Sequence, residues 1–586
     1  MSDFVFSNSE IPKNKLELCF GQVYSKKKKI KYFFSRGRTL CFTENIYNGF
    51  KSYINGDEIC IVLGGPILRF RDNNFISSKR DDNNEGTKSI YERWIVKKEI
   101  NWDVDVDGPF VVMLFNMKSG QFNIVTDMLS IIPVYQKKEK EVIISSHINI
   151  INLVSSDLLD QVSIADYIIN NVVTFPHTIF KNIKQIYPAS IHTWLFKQKE
   201  YFYGYDNYWL PIEPKKGEEQ NVVELANRLR NGVKSFIDQI VDANPKLGLL
   251  MSGGEDSRSV AGMVSKNYKK EGFIYCVSRN NEIVIAEKIA DCYNINLNIG
   301  FIEEDNFINT YKEVTNLVGV GCDSTNVHSY SFSKFFDFQK YDAILGGFLA
   351  DTFLKSLWSE KKRSNNFFFK KKESVDENKE YIRCNHSDIN DELIEKVNKR
   401  RNIHWNLISA FRPRSVQEWM GIWPMSMQRD IPNIYGHRRL FNNYEPYTSN
   451  EVIKVGAIAP QKIKLNRILF REAMKPFFKE VKWIPHNAGF LPFFSYKINS
   501  ILFIPFYKFY FKITSRNKIT MTDWDNIFQK EEVKKKGESY FSKIKEECDD
   551  LFRNEKNMKL MEGNNFNNFQ KRNLFQLGYF LSNRKE

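Results

Sequence analysis

The spacing of apolar and polar residues changes character part-way along the chain. Up to about residue 210, short runs that are apolar or alternate apolar with polar residues are separated by turn residues such as Lys118-Ser119-Gly120. This pattern predicts a mostly β, layered domain with hairpin connections. The runs that predict strands include Glu17–Val23, Ile59–Leu63, Phe110–Asn116, Gln121–Thr126 and Glu141–Ser146.

After the polar segment 211–220, which contains two prolines and a glycine, the apolar period becomes helical. Val222–Ile240 predicts a long amphipathic helix, and Leu247–Met251 predicts a buried strand. Two further strands and a helix are predicted at Gly272–Ser278, Ile295–Ile302 and Glu282–Cys292. Strands that alternate with helices predict a doubly wound parallel α/β sheet with its ligand at the carboxyl ends of the strands. We therefore expect two domains, residues 1–210 and 211–586.

The later part of the second domain is predicted to be mostly helical. Trp405–Met427 has helical periodicity, and Phe566–Leu581 predicts a closing helix that packs on the rest. The aromatic stretch Phe490–Ile513 is expected to form core-packing helical pieces, and binding to a membrane surface is the alternative. Residues 359–402, which include Phe367–Phe369, are predicted to be a surface excursion.

The predicted strand Leu247–Met251 ends in the loop Ser252-Gly253-Gly254-Glu255-Asp256-Ser257. The glycines let the backbone approach a ligand, and the first turn of the following helix presents unpaired N–H groups to an anion. Asp256 would repel a phosphate unless a divalent cation such as Mg²⁺ lies between them. A capped glycine turn is the structural alternative, but this spacing between a strand and a helix favours nucleotide binding.

A second strand that ends in glycines is predicted further along the chain. The apolar run Ala343–Leu345 is followed by Gly346 and Gly347, and Asp351 comes four residues after Gly347. Taken alone, this pattern fits a helix cap at Asp351 as well as a second ligand-binding turn.

Composition and charge exclude several classes of protein. The 586 residues are 42% hydrophobic and 15% aromatic, which indicates folded domains. The formal charge of +15 comes largely from separated lysine runs (Lys26–Lys29, Lys370–Lys372 and Lys534–Lys536), and no nucleic-acid-binding motif accompanies them. We therefore expect no nucleic-acid partner, although ATP would be attracted.

The cysteines, the N-terminus and the length of the apolar runs bear on the cellular compartment of the protein. Eight dispersed cysteines without a CxxC pair argue against a disulfide scaffold or a structural zinc site. The N-terminus has no signal pattern, and no apolar run is long enough to span a bilayer. We expect a cytoplasmic protein without stable membrane insertion.

The Ser252–Ser257 loop resembles the pyrophosphatase (PP) loop of the asparagine synthetase family, which includes β-lactam synthetases and lasso-peptide cyclases. These ligases use ATP to convert a carboxylate into an acyl-adenylate, release pyrophosphate and let an amine attack. The resemblance implies ATP and Mg²⁺ as cofactors. The ATP-binding residues that it implies are Ser252, Gly253, Gly254, Asp256, Ser257, Val277, Ser278 and Gly347.

The second glycine turn is similar to the Gly-x-Gly-x-Asp segment of the family, so Asp256 and Asp351 are the implied metal ligands. Two departures stand out. Phe348 lies where asparagine synthetase has a glutamate, and Leu349 replaces the second glycine. These departures argue against plain asparagine synthesis.

The resemblance also suggests residues for charge stabilisation and substrate binding. Family members use a lysine in a glycine-containing loop to steady charge on the phosphate, and Lys482 and His486 are the candidates at that place. Arg429, Arg438 and Arg439 follow the family's order of arginines before a substrate-side segment. A surface or ion-paired structural role is the alternative for each arginine.

The predicted strand order in residues 1–210 is similar to the glutaminase domain of the family, a fold of the N-terminal-nucleophile type. In glutamine-using members, a cysteine after the initiator methionine is the nucleophile, but Ser2 occupies that position here. A thiolate attacks more readily than a hydroxyl at neutral pH. We therefore expect a domain that keeps its fold without glutaminase activity, as in β-lactam synthetases.

Together these features predict a ligase that adenylates a carboxylate, yields AMP and pyrophosphate, and couples the acid to an amine without hydrolysing glutamine. A role in the biosynthesis of a peptide or another specialised metabolite follows from the resemblance to the glutaminase-deficient members. The alternatives are a non-catalytic nucleotide-binding relative, an enzyme that amidates a sugar acid of a surface polysaccharide, and a PP-loop enzyme that adenylates RNA.

Overall fold

The computed structural model describes most of the chain from Ser2 to Arg584. The residues left out are 1, 25–27, 45–46, 72–83, 140, 198–199, 219, 244, 360, 364–372, 376–379, 514–521, 554–558, 561–565 and 585–586. The runs Phe367–Phe369 and Lys370–Lys372 therefore lie outside the described residues, as do Lys26 and Lys27.

The first part of the chain contains two antiparallel sheets. Its strands are β1 (Phe4–Ser7), β2 (Ile30–Ser35), β3 (Arg38–Thr43), β4 (Tyr53–Asn55), β5 (Glu58–Leu63), β6 (Ile67–Leu68), β7 (Val106–Asp107), β8 (Val111–Asn116), β9 (Gln121–Thr126), β10 (Tyr135–Lys138), β11 (Val142–Ser145), β12 (Ile183–Gln185), β13 (Ser190–Lys197) and β14 (Glu200–Asn207). The six-stranded sheets have the orders β12-β10-β11-β1-β3-β2 and β14-β13-β9-β8-β5-β4, and β6 pairs with β7. Lys118-Ser119-Gly120 connects β8 to β9, and Gly120 has a φ of +77°, a conformation that glycine adopts readily.

The two sheets pack face to face, as a layered β domain requires. Phe6 of β1 lies between rings of the other sheet, with centroid distances of 5.3 Å to Phe115 and 4.4 Å to Phe122. These three side chains are buried in one hydrophobic cluster that continues into the second part of the chain through Phe236 and Leu249. The core is therefore shared between the two parts.

The helices are distributed along the whole chain. They are α1 (Lys13–Val23), α2 (Glu85–Tyr91), α3 (Trp102–Asp105), α4 (Ile148–Ser155), α5 (Gln161–Asn170), α6 (Val222–Val241), α7 (Glu255–Met263), α8 (Asn281–Tyr293), α9 (Asn306–Val318), α10 (Tyr330–Phe335), α11 (Ala350–Leu354), α12 (Asp391–Ser409), α13 (Val416–Met420), α14 (Pro432–Leu440), α15 (Asn450–Ile458), α16 (Gln461–Lys464), α17 (Ile468–Met474), α18 (Tyr496–Ile498), α19 (Ile504–Ile513), α20 (Trp524–Gln529), α21 (Glu531–Glu547) and α22 (Asn568–Ser582). Short 3₁₀ or π segments lie at Glu92–Val96, Ser324–Asn326, Phe338–Lys340, Met425–Met427, Pro446–Thr448, Leu465–Arg467, Lys475–Phe478 and Asn499–Phe503.

The strand prediction for Glu17–Val23 is wrong, because this segment lies in helix α1. The buried side chains of α1 are Leu16, Cys19, Phe20 and Val23, a spacing of three, one and three residues. This spacing is typical of one face of a helix. The helix begins at Lys13, before the segment Glu17–Val23 for which a strand was predicted.

The predicted parallel sheet is present. Its strands are β15 (Leu247–Leu250), β16 (Lys270–Cys276), β17 (Asn296–Phe301), β18 (Ala343–Leu345) and β21 (Asn443–Tyr444), in the order β17-β16-β15-β18-β21. A separate antiparallel pair is formed by β19 (Lys361–Arg363) and β20 (Glu373–Val375). The chain runs outward from β15 in one direction and then continues on the other side at β18. The boundary between β15 and β18 is thus the switch point at which α/β sheets bind ligands.

The predicted helix Trp405–Met427 is interrupted. Helix α12 ends at Ser409, α13 spans Val416–Met420, and Met425–Met427 form a 3₁₀ turn. Pro413 and Pro424 account for the breaks, because proline lacks the N–H that the helix needs and restricts the residue before it.

The aromatic stretch that follows the sheet is only partly buried. Ile501, Leu502, Phe506 and Phe509 are 54–67% exposed, so the prediction of core packing is wrong for this face. By contrast, the closing helix α22 is buried along most of its length and packs with α21 and α5. No helix among the described residues is long and apolar enough to cross a membrane.

Candidate active site

The first glycine loop connects β15 to helix α7 at the switch point. The hydroxyl of Ser252 accepts a hydrogen bond from the Gly254 N–H (3.1 Å) and lies 2.8 Å from the hydroxyl of Ser257. Helix α7 begins directly after Gly254, so its first-turn N–H groups face the loop. A Cβ at Gly253 would collide with the amide oxygen of Asn487, so a larger residue there would require that side chain to move.

The second glycine loop lies against the first. Strand β18 pairs with β15 in parallel, with Leu345 opposite Leu249, and Gly346 and Gly347 follow at its carboxyl end. A Cβ at Gly347 would lie 2.6 Å from the backbone nitrogen of Ser257 and 2.8 Å from the backbone carbon of Asp256. Only a glycine therefore lets the two loops approach this closely.

Lys355 joins the two loops electrostatically. Its Nζ atom lies 2.5 Å from Asp256 Oδ1, 2.6 Å from Asp351 Oδ1 and 2.8 Å from Glu255 Oε1. Glu255 also pairs with Arg467 at 2.7 Å. The two predicted metal ligands, Asp256 and Asp351, are thus brought together, and both face one cation.

This cluster has perturbed proton affinities. Burial and the nearby carboxylates of Asp351 and Glu255 raise the pKa of Asp256 above its usual value, although the Lys355 ammonium opposes the rise. The pKa of Glu255 is lowered to about 2, because Arg467 and Lys355 outweigh the effect of burial. The same carboxylates raise the pKa of Lys355, which therefore remains an ammonium at neutral pH. Such clustering of shifted groups in a cleft is typical of functional sites.

A cavity of about 450 Å³ opens beside the cluster. Its wall includes Gly254, Glu255, Asp256, Asp351, Lys355, Leu357, Asn466, Arg467, His486, Ala488, Phe490, Tyr496, Asn499 and Ile504. The volume lies within the range of small-molecule sites, and the polar groups converge at the end where the glycine loops meet.

The remaining predicted site residues differ in their distance from this cavity. His486 is on the cavity wall, where its ring stacks on Phe490 at 4.3 Å and its Nδ1 accepts the Ala488 N–H at 3.0 Å. Burial lowers the pKa of His486 to about 4, so the ring is neutral at pH 7. Lys482 is exposed, contacts the ring of Trp483 at 5.7 Å and is not on this wall. Val277 and Ser278 directly follow the carboxyl end of β16.

The donor set suits a hard divalent cation. Asp256 and Asp351 supply two carboxylates whose oxygens both lie within 2.6 Å of one small cationic group, the ammonium of Lys355. Among the described residues, no group of three or more His, Cys, Asp or Glu side chains forms a complete metal cage. Two carboxylates with ligand oxygens in the remaining positions match the way in which Mg²⁺ binds in phosphate sites. The residues therefore fit the implied metal.

Sequence reasoning missed Lys355, Glu255, Arg467 and Glu445. Lys355 was detectable in principle, because it lies four residues after Asp351, directly after the short helix that follows the second glycine turn. Arg467 comes from a segment more than two hundred residues after Glu255, and no local pattern indicates that they meet.

Glu445 supports the second glycine loop from behind. This buried carboxylate directly follows β21, accepts hydrogen bonds from Phe348 N–H (2.9 Å) and Asn443 Nδ2 (3.0 Å), and occupies the space that a side chain at Gly346 would need. Burial raises its pKa to about 7. Glu445 thus places a carboxylate behind the loop whose sequence contains Phe348.

The region around Ser2 is closed by the second part of the chain. Ser2 is 1% exposed, and the adjacent Asp3 forms a buried ion pair with Arg439 of α14 at 2.7 and 2.8 Å. Tyr24 also donates a hydrogen bond to Asp3. Arg439 and the hydrogen bonds hold the pKa of Asp3 at about 2 despite burial. This position of Arg439 fits the structural alternative rather than substrate contact.

The other two arginines are also tied to protein groups. Arg438 donates to the carbonyls of Asn443 (2.9 Å) and Gly64, and it links the second part of the chain to the first. Arg429 pairs with Asp430 at 3.2 Å and lies over the ring of Phe569 at 4.2 Å.

Comparison with known families agrees with both halves of this architecture. Residues 91–209 match the model of a glutamine amidotransferase domain, and residues 228–427 match asparagine synthase. These matches support the asparagine synthetase family. The asparagine synthase match includes both glycine loops, and it supports an ATP-dependent amidating enzyme of the ligase type.

Other comparisons are more distant. No curated protein matches the chain. Among solved structures, it is similar to an allosteric regulatory enzyme of purine biosynthesis, at 7% identity and a TM-score of 0.24, over 51% of this chain and 80% of that one. It is also similar to glutamine phosphoribosylpyrophosphate amidotransferase from B. subtilis complexed with ADP and GMP, at 6% identity and a TM-score of 0.25, over 54% of this chain and 92% of that one. Likeness at this level carries no functional argument.

Proposed function

We propose that this protein is an ATP-dependent ligase that adenylates a substrate carboxylate, releases pyrophosphate and couples the acyl group to an amine. The observation that carries the proposal is the contact between the two glycine loops. There, Asp256 and Asp351 both lie within 2.6 Å of the Lys355 ammonium, on the wall of a cavity of about 450 Å³. The match of residues 228–427 to asparagine synthase supports the same chemistry. We also propose a boundary near residue 210, between the end of β14 and the start of α6.

In this proposal the first loop binds the phosphates of ATP. The hydroxyls of Ser252 and Ser257, the backbone at Gly253 and Gly254 and the first turn of α7 supply donors to an anion. Gly347 lets the second loop contact the first, and the backbone at Val277 and Ser278 is available to the nucleotide base at the end of β16.

Asp256 and Asp351 are the residues that would hold Mg²⁺. When bound, this ion supplies positive charge against the departing pyrophosphate, which is a large catalytic contribution in phosphoryl chemistry. Arg467 contributes a second fixed positive charge on the same wall.

His486 is the better placed of the two catalytic candidates. Its ring lies on the cavity wall, and because Nδ1 accepts the Ala488 N–H, the neutral ring carries its proton on Nε2 and can donate a hydrogen bond to a bound phosphate or acyl oxygen. Lys482 would have to approach from its exposed position beside Trp483, so we propose it only as a group that contacts substrate when the site is occupied.

We further propose that the amine does not come from glutamine. Ser2 replaces the family's nucleophilic cysteine, and the buried Asp3–Arg439 pair lies directly beside it. Glutamine hydrolysis that disappears in Ser2→Ala would contradict this part of the proposal. The replacement also favours the glutaminase-deficient members as models, with a peptide or specialised metabolite as the product. Amidation of a sugar acid is the second candidate for the substrate.

Pyrophosphate release is the direct test of the ligase proposal. Wild type should release pyrophosphate from ATP in the presence of a suitable acid, whereas Asp256→Asn and Asp351→Asn should lose about two orders of magnitude in rate, as expected when charge stabilisation is removed. Asp391→Asn, at an exposed pair with Arg553, is the matched control and should behave as wild type. If a broad panel of acids and amines yields no release above that of Asp256→Asn, the protein is a non-catalytic nucleotide binder instead.

A further inference from the structure

The position between the two proposed metal ligands is occupied by a side chain of the protein itself. The ammonium of Lys355 lies 2.5 Å from Asp256 and 2.6 Å from Asp351, and its side chain is 9% exposed. It also lies 4.3 Å from the centroid of the Phe470 ring. Together with Glu255 at 2.8 Å, three carboxylates and an aromatic face therefore hold Lys355 at the point where a divalent cation would bind.

The charges in the cluster explain why the lysine is there. Three carboxylates, those of Glu255, Asp256 and Asp351, meet two cations, Lys355 and Arg467. Arg467 pairs with Glu255 alone of the three, so Lys355 is the cation that neutralises Asp256 and Asp351 among the described ion pairs. Without Lys355, two like charges would face each other at the cavity wall without compensation.

We propose that Lys355 is an internal counter-cation that competes with the divalent metal for Asp256 and Asp351. This inference rests on the proposed function, because it assumes that these carboxylates are metal ligands. Lys355 stabilises the site before the nucleotide binds, and it must leave the two aspartates before they can hold a metal ion.

The geometry gives the displaced lysine a place to go. Lys355 lines the 450 Å³ cavity on the same wall as Gly254 and Arg467, where the phosphates of ATP are proposed to bind. A lysine is a compact charge on a flexible four-carbon stem, so it can exchange a carboxylate for a phosphate oxygen without a backbone movement. The protein thereby couples metal binding to nucleotide binding. A metal without phosphate leaves the ammonium with Glu255 alone, which already pairs with Arg467, whereas a metal with phosphate gives the ammonium new oxygen partners in place of the two aspartates.

Metal binding to the nucleotide-free protein tests this coupling. Mn²⁺ is the probe, and free Mn²⁺ is measured by electron paramagnetic resonance. Lys355→Met, which keeps the length of the side chain without its charge, should bind Mn²⁺ at least about tenfold more tightly than wild type, because a unit charge in contact with the ligands is removed. Lys355→Arg should bind it as weakly as wild type, and Lys396→Met, at an exposed i,i+4 pair, is the control.

A second measurement uses wild type and does not depend on the folding of a variant. If Mn²⁺ displaces Lys355, the rate at which an amine-reactive acetylating reagent modifies this lysine should rise when Mn²⁺ is added, as measured by peptide mass spectrometry. The increase should vanish in Asp351→Asn. The double variant Lys355→Met/Glu255→Gln removes one charge of each sign and should also bind Mn²⁺ more tightly than wild type.

The outcomes separate the two proposals. Equal Mn²⁺ affinity in wild type and Lys355→Met, together with unchanged lysine reactivity, would overturn the counter-cation role while leaving the ligase intact. Failure of Mn²⁺ to bind any of these proteins, with or without a non-hydrolysable ATP analogue, would instead remove the metal site on which the proposed function depends.

Discussion

The buried pair between Asp3 and Arg439 offers a sharp test of how the two parts of the chain hold each other. The side chains are 0% and 1% exposed, and two hydrogen bonds of 2.7 and 2.8 Å join them. Arg439→Met would leave the carboxylate of Asp3 buried without its cation. Removing one partner of a buried pair costs about 3–5 kcal/mol.

For Arg439→Met, the surroundings of Asp3 indicate a loss of stability near the lower end of that range. Asp3 would keep the hydrogen bonds from Tyr24 and from Ser146 Oγ (2.7 Å), so it would lose its charge partner but not all of its donors. We therefore expect a loss of about 3 kcal/mol, which corresponds to roughly 6–12 °C in Tm for a cooperative unit of 150–250 residues. The pKa of Asp3 should rise, because the opposing charge that lowers it to about 2 is gone.

Thermal unfolding followed by circular dichroism provides the assay. Asp3→Asn/Arg439→Met should melt higher than Arg439→Met, because no uncompensated charge is buried in the double variant. Arg383→Met is the control, since Arg383 forms an exposed pair with Glu395 and should change stability by less than about 0.5 kcal/mol. A Tm for Arg439→Met that equals that of Arg383→Met would show that the pair does not stabilise the interface.

Three further predictions concern the site and its pH dependence. Gly347→Ala should lower the rate of pyrophosphate release by about tenfold or more, with folding retained, because the added methyl group would lie 2.6 Å from the backbone nitrogen of Ser257. Gly204→Ala is the control and should have no effect, because no atom lies within 4 Å of a Cβ at that position. Glu445→Gln should lower both Tm and activity, because the NH₂ group of the glutamine would face one of the two donors, Phe348 N–H or Asn443 Nδ2, at a cost in stability of about 1–3 kcal/mol. An unchanged Tm and an unchanged rate would show that the carboxylate is dispensable. Burial lowers the pKa values of four buried histidines to about 3–4. The stability that they contribute is therefore complete above about pH 6.5 and is lost as the pH falls towards 4, by about 1 kcal/mol for each histidine at pH 5.5. A Tm that does not fall between pH 7 and pH 5.5 would contradict this prediction. These histidines are His147, His192, His404 and His437.

The sequence alone determined the parts of this protein that depend on local patterns. The short runs 111–116 and 121–126, which turn residues bound, and the helical period of Val222–Val241 predict strands β8 and β9 and helix α6. The two strands are buried at nearly every position, whereas α6 buries one face and shows its period directly. The same holds for the glycine loop after β15, whose residue types and spacing imply an anion site at a helix start.

The tertiary structure decided which distant groups share the site. The pairing of β15 with β18 brings Asp256 and Asp351 together, although they lie 95 positions apart in the sequence. It also places Lys355 between them, Arg467 beside Glu255 and Glu445 behind the second loop. Apart from the i,i+4 spacing of Asp351 and Lys355, these contacts have no local signal, because each joins segments that are distant in the sequence. The sequence leaves Arg439 as a candidate for substrate binding, whereas in the structure its side chain is buried against the first part of the chain, where the pair with Asp3 gives it a structural role.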